Sequence, residues 1–294
     1  MSKGIVIFAH NNRQIDYGKI ALANACTIKD SMSNNNVTLI TDDGTANWLY
    51  KEYNKEFVDS KFDQIKLIKR RRVLNQKRFY DTRYTKVIET FYNINRNEIY
   101  DLSPYDETLV IDADYFICNN VLDQCWKLKY DLQINSQSKD IFSGRKYDEF
   151  KRTSEDGIDF YWATVFFFRK TPETRLFFDI VRDVKINWDY YKLIYNIKSP
   201  VFRNDHAFSI AIHLFNGMGK NHMISRLPLP YLQHIHGIDE LIDVPEKYKF
   251  KFLLDKPNEP GKYLACMTEK DNVHIMNKFS LNRLSGKIIE RYYD

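Results

Sequence analysis

The chain has 294 residues, of which 44% are hydrophobic and 28% are charged. This composition is typical of a folded globular protein large enough for a sizeable α/β domain, and it excludes an intrinsically disordered chain. The net charge of +5 is mild. It is compatible with a protein that binds phosphate groups or nucleic acid, and equally with one that binds neither.

The sequence carries no signal for a membrane or for an oxidising compartment. The apolar run at residues 5–9 is too short for a signal peptide, and no stretch approaches the roughly 20 apolar residues of a membrane span. Cys26, Cys118, Cys125 and Cys266 form no CxxC pair and show no zinc spacing. We therefore expect a cytoplasmic protein with reduced, buried thiols.

The first predicted unit along the chain is βαβ. A β-branched apolar run at residues 5–9 predicts a buried strand, followed by a helix over residues 17–33 and a strand over residues 37–40. This order predicts a parallel sheet with a right-handed crossover. Ligands gather at the carboxyl ends of such strands, here residues 9–12 and 41–43. The sequence has neither a GxGxxG nor a GxxxxGK[ST] motif, so no dinucleotide or P-loop site is indicated.

The next segment is predicted to contain a helix over residues 48–57, a strand over residues 65–68 and a helix over residues 84–92. Between them lies the densest basic segment of the chain, from Lys69 to Lys86. Such a segment is either a solvated face or a surface that contacts phosphate or nucleic acid.

Two aspartates follow the apolar run at residues 109–111. On a strand, positions i and i+2 point to one face, so the carboxylates of Asp112 and Asp114 can converge on one hard cation. Oxygen ligands favour Mg²⁺ or Mn²⁺, and Mg²⁺ sites use one or two carboxylates together with phosphate oxygens. The Asp-x-Asp motif therefore predicts a site for a metal-bridged diphosphate.

The second half of the chain is predicted to alternate strands with helices. In chain order we expect a helix over residues 121–130, a polar loop over 133–139, strands over 141–144 and 163–168, helices starting near 172 and 205, and apolar pieces at 250–254 and 273–276. No repeat, low-complexity tract or linker divides the chain, so a single domain over residues 1–294 is expected.

At the Asp-x-Asp motif the chain resembles the glycosyltransferases of the GT-A fold, and among them the group of glycogenin and the bacterial lipopolysaccharide galactosyltransferases. In that group a helix bearing Tyr and Arg precedes a segment of the type Leu-Tyr-Leu-Asp-x-Asp. Here Arg83-Tyr84-Thr85-Lys86 precedes Leu109-Val110-Ile111-Asp112-Ala113-Asp114. The resemblance implies an α/β fold with a GT-A-like, Rossmann-type mixed sheet, mostly parallel, and helices on both faces.

The resemblance also implies a separate role for each of three segments of the chain. Residues 1–120 would bind the nucleotide-sugar, residues 121–225 would form the acceptor side, and residues 226–294 would close the fold. The cofactors implied are Mn²⁺ or Mg²⁺, with a nucleotide-diphosphate sugar, a UDP-sugar, as donor.

The resemblance assigns roles to individual residues. Asp112 would contact the donor and the metal, and Asp114 would hold the metal. The residues implied near the nucleotide, its phosphates or its sugar are Ala9, His10, Asn11, Tyr17, and Arg83 or Lys86.

Two later segments resemble elements of the same group. Val273-His274-Ile275-Met276-Asn277-Lys278 is similar to a segment in which a histidine completes the metal shell and a lysine binds phosphate, which implies His274 as a ligand and Lys278 as a phosphate contact. The family's Gly is missing there, and the Lys lies closer to the His than usual. Ala163-Thr164-Val165 resembles an acceptor-side Asn-Ala-Gly-Val strand without its Asn and Gly. Arg203-Asn204-Asp205 keeps one aspartate of the family's Asp-Gln-Asp, so Asp205 is implied in the active site, although it can equally cap the helix that follows.

The leading hypothesis is a metal-dependent glycosyltransferase, a hexosyl- or pentosyltransferase. Its acceptor would be a saccharide or glycan, or a hydroxylated base in DNA, as in some bacteriophage enzymes that act in the host cytoplasm. The basic segment from Lys69 to Lys86 favours the DNA version. The alternatives are a sugar nucleotidyltransferase, whose Gly-rich loop after the first strand is absent here, and a non-catalytic nucleotide-sugar-binding module.

Overall fold

A computed structural model describes residues 1–70, 75–92, 95–142, 145, 151–199, 201–218 and 224–293. The helices in this part of the chain are α1 (Tyr17–Ser31), α2 (Asp43–Glu52), α3 (Lys55–Lys61), α4 (Ile99–Leu102), α5 (Pro172–Ile186), α6 (Trp188–Ile194), α7 (Asn204–Phe215) and α8 (Lys278–Glu290), with 3₁₀ turns at Arg96–Glu98 and Val121–Trp126. The strands are β1 (Lys3–Phe8), β2 (Val37–Thr41), β3 (Gln64–Leu67), β4 (Gln76–Tyr80), β5 (Lys86–Thr90), β6 (Glu107–Asp112), β7 (Tyr115–Phe116), β8 (Leu132–Ile134), β9 (Ser138–Asp140), β10 (Val165–Arg169), β11 (Leu232–Ile235), β12 (Glu240–Asp243), β13 (Lys249–Asp255), β14 (Tyr263–Glu269) and β15 (Val273–Ile275).

A six-stranded sheet in the order β3-β2-β1-β6-β10-β8 forms the centre of the fold. The neighbouring strands β3 and β2, β2 and β1, and β1 and β6 pair in parallel, whereas β10 runs antiparallel to both β6 and β8. The mixed, mostly parallel α/β sheet predicted from the sequence is confirmed.

Helices cover both faces of this sheet because its strands are apolar on both sides. In β1, Ile5 and Ile7 pack into one core while Val6 and Phe8 pack into the other. The first core includes α1 and α8, and the second includes α5 and α7. Alternate residues of a strand point to opposite faces, so one continuous apolar run supplies both cores.

A second sheet brings the C-terminal part of the chain to the end of β6. Its order is β7-β15-β11-β9. Strand β15 pairs antiparallel with β7, which places His274 opposite Tyr115. The backbone N–H of Ile275 donates to the carbonyl of Asp114 at 2.9 Å. Helix α8 follows and packs on α1, so the C-terminal residues fold back over the sheet.

Two smaller sheets complete the fold. Strands β12, β13 and β14 form an antiparallel sheet, and β4 pairs with β5 in an antiparallel hairpin. The helix predicted over residues 84–92 was therefore wrong, since β5 occupies most of that stretch. Its Val87, Ile88 and Phe91 are spaced as on a helix, but Val, Ile and Thr are also strand formers, and pairing with β4 decides the outcome.

Further elements differ from the prediction. The helix expected over residues 121–130 is a 3₁₀ turn that ends at Trp126, and the loop expected over residues 133–139 contains parts of β8 and β9. The helix expected over residues 48–57 is two helices, because Asn54 caps a new helix through the N–H groups of Glu56 and Phe57. Of the strand expected over residues 141–144, the last two residues lie outside the described residues.

The described residues contain no helix with both the length and the hydropathy needed to cross a bilayer. The four cysteines are free thiols. Three of them, Cys26, Cys118 and Cys125, are buried, and Cys266 is half-buried.

Candidate active site

A cavity of about 410 Å³ opens at the carboxyl end of β6. The hairpin strand β4, Ser199 and residues 201–205 form part of its wall, together with His274, Lys278 and Trp162. The cavity therefore lies where the central sheet meets the second sheet, and residues far apart in sequence face one another across it.

Three of the predicted site residues meet in this cavity. Asp112, Asp114 and His274 each offer one ligand atom, and these atoms lie within 4.8 Å of one another. Two carboxylates and an imidazole are suitable ligands for Mn²⁺ or Mg²⁺. The donor set therefore fits the metal that the sequence implies.

The turn that carries the two aspartates is held from both sides. The backbone N–H of Asp112 donates to the carbonyl of Thr164 at 2.8 Å, where the ladder with β10 ends. On the other side, the buried Asn24 amide of α1 donates to the carbonyls of Ala113 at 3.2 Å and Tyr115 at 2.7 Å. These bonds turn the chain after Asp112, so both carboxylates face the same space.

Arg96 neutralises Asp112. Its buried guanidinium forms an ion pair with the Asp112 carboxylate and donates a hydrogen bond to the carbonyl of Ala163. Burial is the largest influence on its pKa and lowers it to about 10, so Arg96 stays cationic at neutral pH. Sequence reasoning missed Arg96. The available signal was an arginine at a helix start, close before the Asp-x-Asp strand.

Lys278 and His274 surround Asp114. The Lys278 ammonium forms an ion pair with Asp114 and donates to the carbonyl of Ile275 at 3.2 Å, while Nε2 of His274 lies 2.8 Å from the Asp114 carboxylate. All three residues are buried. Burial lowers the pKa of His274 to about 3 and that of Lys278 well below its usual value. The imidazole is therefore neutral, the form that can bind a metal.

Asp205 lies on the opposite wall, at the start of α7. Its carboxylate accepts from the N–H of Ala163 at 3.0 Å and from the Arg203 guanidinium at 3.0 Å. Burial acts to raise the pKa of Asp205, but the charges of Arg203 and Arg96 outweigh it and hold that pKa below the usual range. Asp205 is thus an anionic group in the cavity and does not cap α7 with its side chain.

The residues predicted near the nucleotide divide into two groups. Tyr17 lines the cavity. Ala9, His10 and Asn11 lie at the end of β1 but not in the cavity lining. Nδ1 of His10 lies 2.8 Å from the Asp42 carboxylate, and the Asn11 side chain accepts from the N–H of Gly18 at 2.8 Å.

Arg83 and Lys86, predicted to reach the donor phosphates or sugar, are not in the cavity lining either. Arg83 pairs with the buried Asp255 at 3.1 Å, and Lys86 is exposed on β5. The structure thus brings Asp112, Asp114, His274, Lys278, Asp205 and Tyr17 together, and does not bring Arg83 and Lys86 to them.

No family model and no curated protein matches this sequence. The fold is similar to the galactosyltransferase LgtC solved with donor and acceptor sugar analogs, with 12% identity, a TM-score of 0.45, and coverage of 76% of this chain and 72% of that chain. It is also similar to the WbbM bifunctional glycosyltransferase (13% identity, TM-score 0.47, 79% and 40% coverage). The glycosyltransferase GlyE of Streptococcus pneumoniae shows a similar likeness (15% identity, TM-score 0.41, 76% and 45% coverage).

The chain thus spans less than half the length of the last two proteins. Similarity to glycosyltransferases, expected from the sequence, is observed at a distant level. All three TM-scores lie below 0.5.

Proposed function

We propose that the chain is a metal-dependent glycosyltransferase of the GT-A type, which transfers a sugar from a nucleotide-diphosphate sugar to an acceptor hydroxyl. The observation that carries this proposal is the meeting of Asp112, Asp114 and His274 in a cavity at the carboxyl end of a mostly parallel sheet. In open α/β sheets, this edge is where ligands bind.

In this proposal, Asp112, Asp114 and His274 hold Mn²⁺ or Mg²⁺. The bound ion supplies neutralisation of the negative charge that develops on the leaving diphosphate. Lys278 and Arg96 would help to neutralise the same negative charge on the diphosphate, because both are cations fixed beside the two carboxylates. Lys278 keeps the phosphate contact that the resemblance implied, and Arg96 is proposed in place of Arg83 or Lys86, which the resemblance implied at the donor's phosphates or sugar.

The donor nucleotide is proposed to lie along the ends of β1 and β2, where Tyr17 lines the cavity. His10 and Asn11 shape this edge through their fixed hydrogen bonds. A UDP-sugar remains the proposed donor, with either a hexosyl or a pentosyl group to transfer.

On the acceptor side, Asp205 is proposed to accept a hydrogen bond from the attacking hydroxyl and to stabilise positive charge at the sugar carbon. It is anionic and fixed by Ala163 and Arg203. Trp162 also lines the cavity, but its ring is buried and stacks on His234. The carboxylate of Asp205 is suited to a saccharide hydroxyl as acceptor.

The basic segment from Lys69 to Lys86 supports a DNA acceptor less than we expected from the sequence. Arg70 is engaged with Asp42 at 2.9 Å and Arg83 with Asp255, so neither is a free phosphate contact, while Arg71 and Arg72 lie outside the described residues. Duplex binding that falls steeply with added salt would restore the DNA version, since released counterions make such binding salt-dependent.

The proposal is tested by titrating UDP into the protein with and without Mn²⁺, and by assaying release of UDP from UDP-sugars. We expect Mn²⁺ to strengthen UDP binding. We expect Asp114→Asn to remove that gain and to lower transfer by about 10²-fold or more, whereas Asp189→Asn, at an exposed position on α6, leaves both unchanged.

Other results would contradict the proposal. Normal transfer by Asp114→Asn in Mn²⁺ would remove the site assignment. Formation of a nucleotide-sugar from UTP and a sugar 1-phosphate would identify a nucleotidyltransferase. Tight UDP binding without turnover on any donor and acceptor would indicate a binding module.

A further inference from the structure

The charges that line the cavity do not balance. Among the described lining residues, five are cations, namely Lys77, Arg78, Arg96, Arg203 and Lys278, and three are carboxylates, namely Asp112, Asp114 and Asp205. A divalent metal and the diphosphate of a nucleotide-sugar carry opposite charges of equal size. Binding both therefore leaves the positive excess of the cavity unchanged.

Each carboxylate already has a cationic partner. Asp112 pairs with Arg96, Asp114 with Lys278, and Asp205 with Arg203. The excess therefore falls on Lys77 and Arg78, two neighbouring residues of β4.

Lys77 faces the site without a carboxylate of its own. Its ammonium lies over the rings of Phe91 and Phe79, at 5.0 and 5.8 Å from their centroids. Glu89 is its register partner across the hairpin, yet within the described part of the chain no ion pair joins them. Lys77 is an exposed residue that lines the cavity, so its charge is accessible to whatever the cavity holds.

The surroundings of the Lys77 ammonium favour the binding of an anion beside it. Desolvation, and after it the charge of Arg203, lowers the pKa of Lys77 to about 8, while the Asp205 carboxylate acts to raise it. The ammonium is therefore still charged at neutral pH, but at a cost that a bound anion would remove. Apolar ring walls also make a charge–charge contact stronger than it would be in water.

We propose that Lys77 binds a second anionic group, a carboxylate or phosphate carried by one of the two sugars, in addition to the donor diphosphate. This inference rests on the proposed glycosyltransferase function and narrows its substrate class to anionic saccharides. The charged sugar is either the one transferred or the one that accepts it, and Lys77 recognises the same chemistry in both cases.

The experiment compares sugars that differ in charge, by calorimetry in Mn²⁺. One arm titrates UDP-glucuronic acid against UDP-glucose. The other arm titrates glucuronate, galacturonate and glucose 6-phosphate against glucose and galactose, into the protein saturated with UDP. In at least one arm we expect the charged sugar to bind about tenfold more tightly, which corresponds to roughly 1.4 kcal/mol. The arm that responds identifies the donor or the acceptor as the anionic partner.

Variants assign the effect to Lys77. Lys77→Met is expected to abolish the preference for the charged sugar while binding UDP and Mn²⁺, and Lys77→Arg is expected to keep it. The matched control is Lys61→Met, because Lys61 also lies over a phenylalanine ring, that of Phe57, at 4.9 Å, but on α3 away from the cavity. It should leave the preference unchanged.

Two outcomes overturn this inference without touching the proposed function. They are UDP–Mn²⁺ binding with no preference for a charged sugar in either arm, and a preference that survives in Lys77→Met. Failure of the wild-type protein to bind UDP in Mn²⁺ would instead overturn the proposed function itself.

Discussion

At the scale of single residues, the site is a set of buried charges that are paired in advance. Arg96 and Lys278 neutralise Asp112 and Asp114. Buried carboxylates without partners would be costly, so these two cations allow the site to exist before any ligand binds. In the proposed function the same cations would bind the phosphates of a donor.

Mutation of Arg96 tests whether this pairing stabilises the site. Arg96→Met leaves the Asp112 carboxylate without its ion pair, and removing one partner of a buried pair typically costs about 3–5 kcal/mol of unfolding free energy. We expect that loss in urea denaturation, together with a fall in transfer of about 10²-fold. Because Mn²⁺ supplies the missing positive charge, it should raise the melting temperature of the variant more than that of the wild type.

Arg175→Met is the comparison for this variant. Arg175 pairs with Asp101 on the surface, where both side chains are nearly half exposed, and such solvent-screened pairs contribute little to stability. If Arg96→Met and Arg175→Met lost similar amounts of unfolding free energy, the Arg96–Asp112 pair would contribute no more than an exposed ion pair does.

At the scale of elements, the β4–β5 hairpin and α8 meet at the cavity. Asn277 caps α8 by accepting from the N–H of Ser280 at 3.0 Å, and its amide donates to the carbonyl of Asp81, next to β4, at 2.7 Å. One side chain therefore sets the start of α8, where Lys278 lies, and ties the hairpin to it.

Substitution of Asn277 separates these two roles. Asn277→Ser keeps a capping oxygen but loses the donor to Asp81, whereas Asn277→Ala loses both. We expect faster hydrogen exchange in the hairpin, residues 76–90, in both variants. An additional loss of about 1 kcal/mol in unfolding free energy is expected only for the alanine variant. Unchanged exchange in Asn277→Ser would show that the Asp81 bond does not hold the hairpin.

At the scale of the whole molecule, the site lies at the edge of one sheet whose two faces are each covered by an apolar core. Several neutral histidines are also buried in the fold. His206 on α7 stacks on Trp188, with 8° between the rings, and meets Phe160 edge-on. Burial lowers its pKa to about 4. The folded protein therefore takes up a proton at His206 less readily than the unfolded chain does.

This sets the sign of a pH effect. Above pH 6.5 both states are neutral at His206, and stability is unaffected. As the pH falls from 6.5 to about 4, the unfolded chain gains a proton that the folded one does not, so stability is lost by up to about 3 kcal/mol. Urea unfolding at pH 7 and pH 4.5 should show a smaller loss in His206→Phe than in the wild type. Equal losses would contradict the assignment.

Much of the fold follows from local sequence patterns. The βαβ start, the strand before Asp112 and the helix near residue 172 were predicted, since continuous apolar runs and the Thr171 cap leave little choice of structure. The helix near residue 205 was predicted as well, and it forms without a side-chain cap. The hairpin was not predicted, because Val87 and Ile88 fit a strand as well as a helix until β4 pairs with them.

The sequence by itself determined the two aspartates, the apolar run that ends at them and the class of ligand they suit. Tertiary structure decided their partners. His274 reaches Asp114 through the pairing of β15 with β7, and Arg96 and Lys77 reach the cavity from a 3₁₀ turn and a hairpin. Strand pairing and charge burial join residues distant in sequence, so no local pattern records which arginine or lysine will face a given carboxylate.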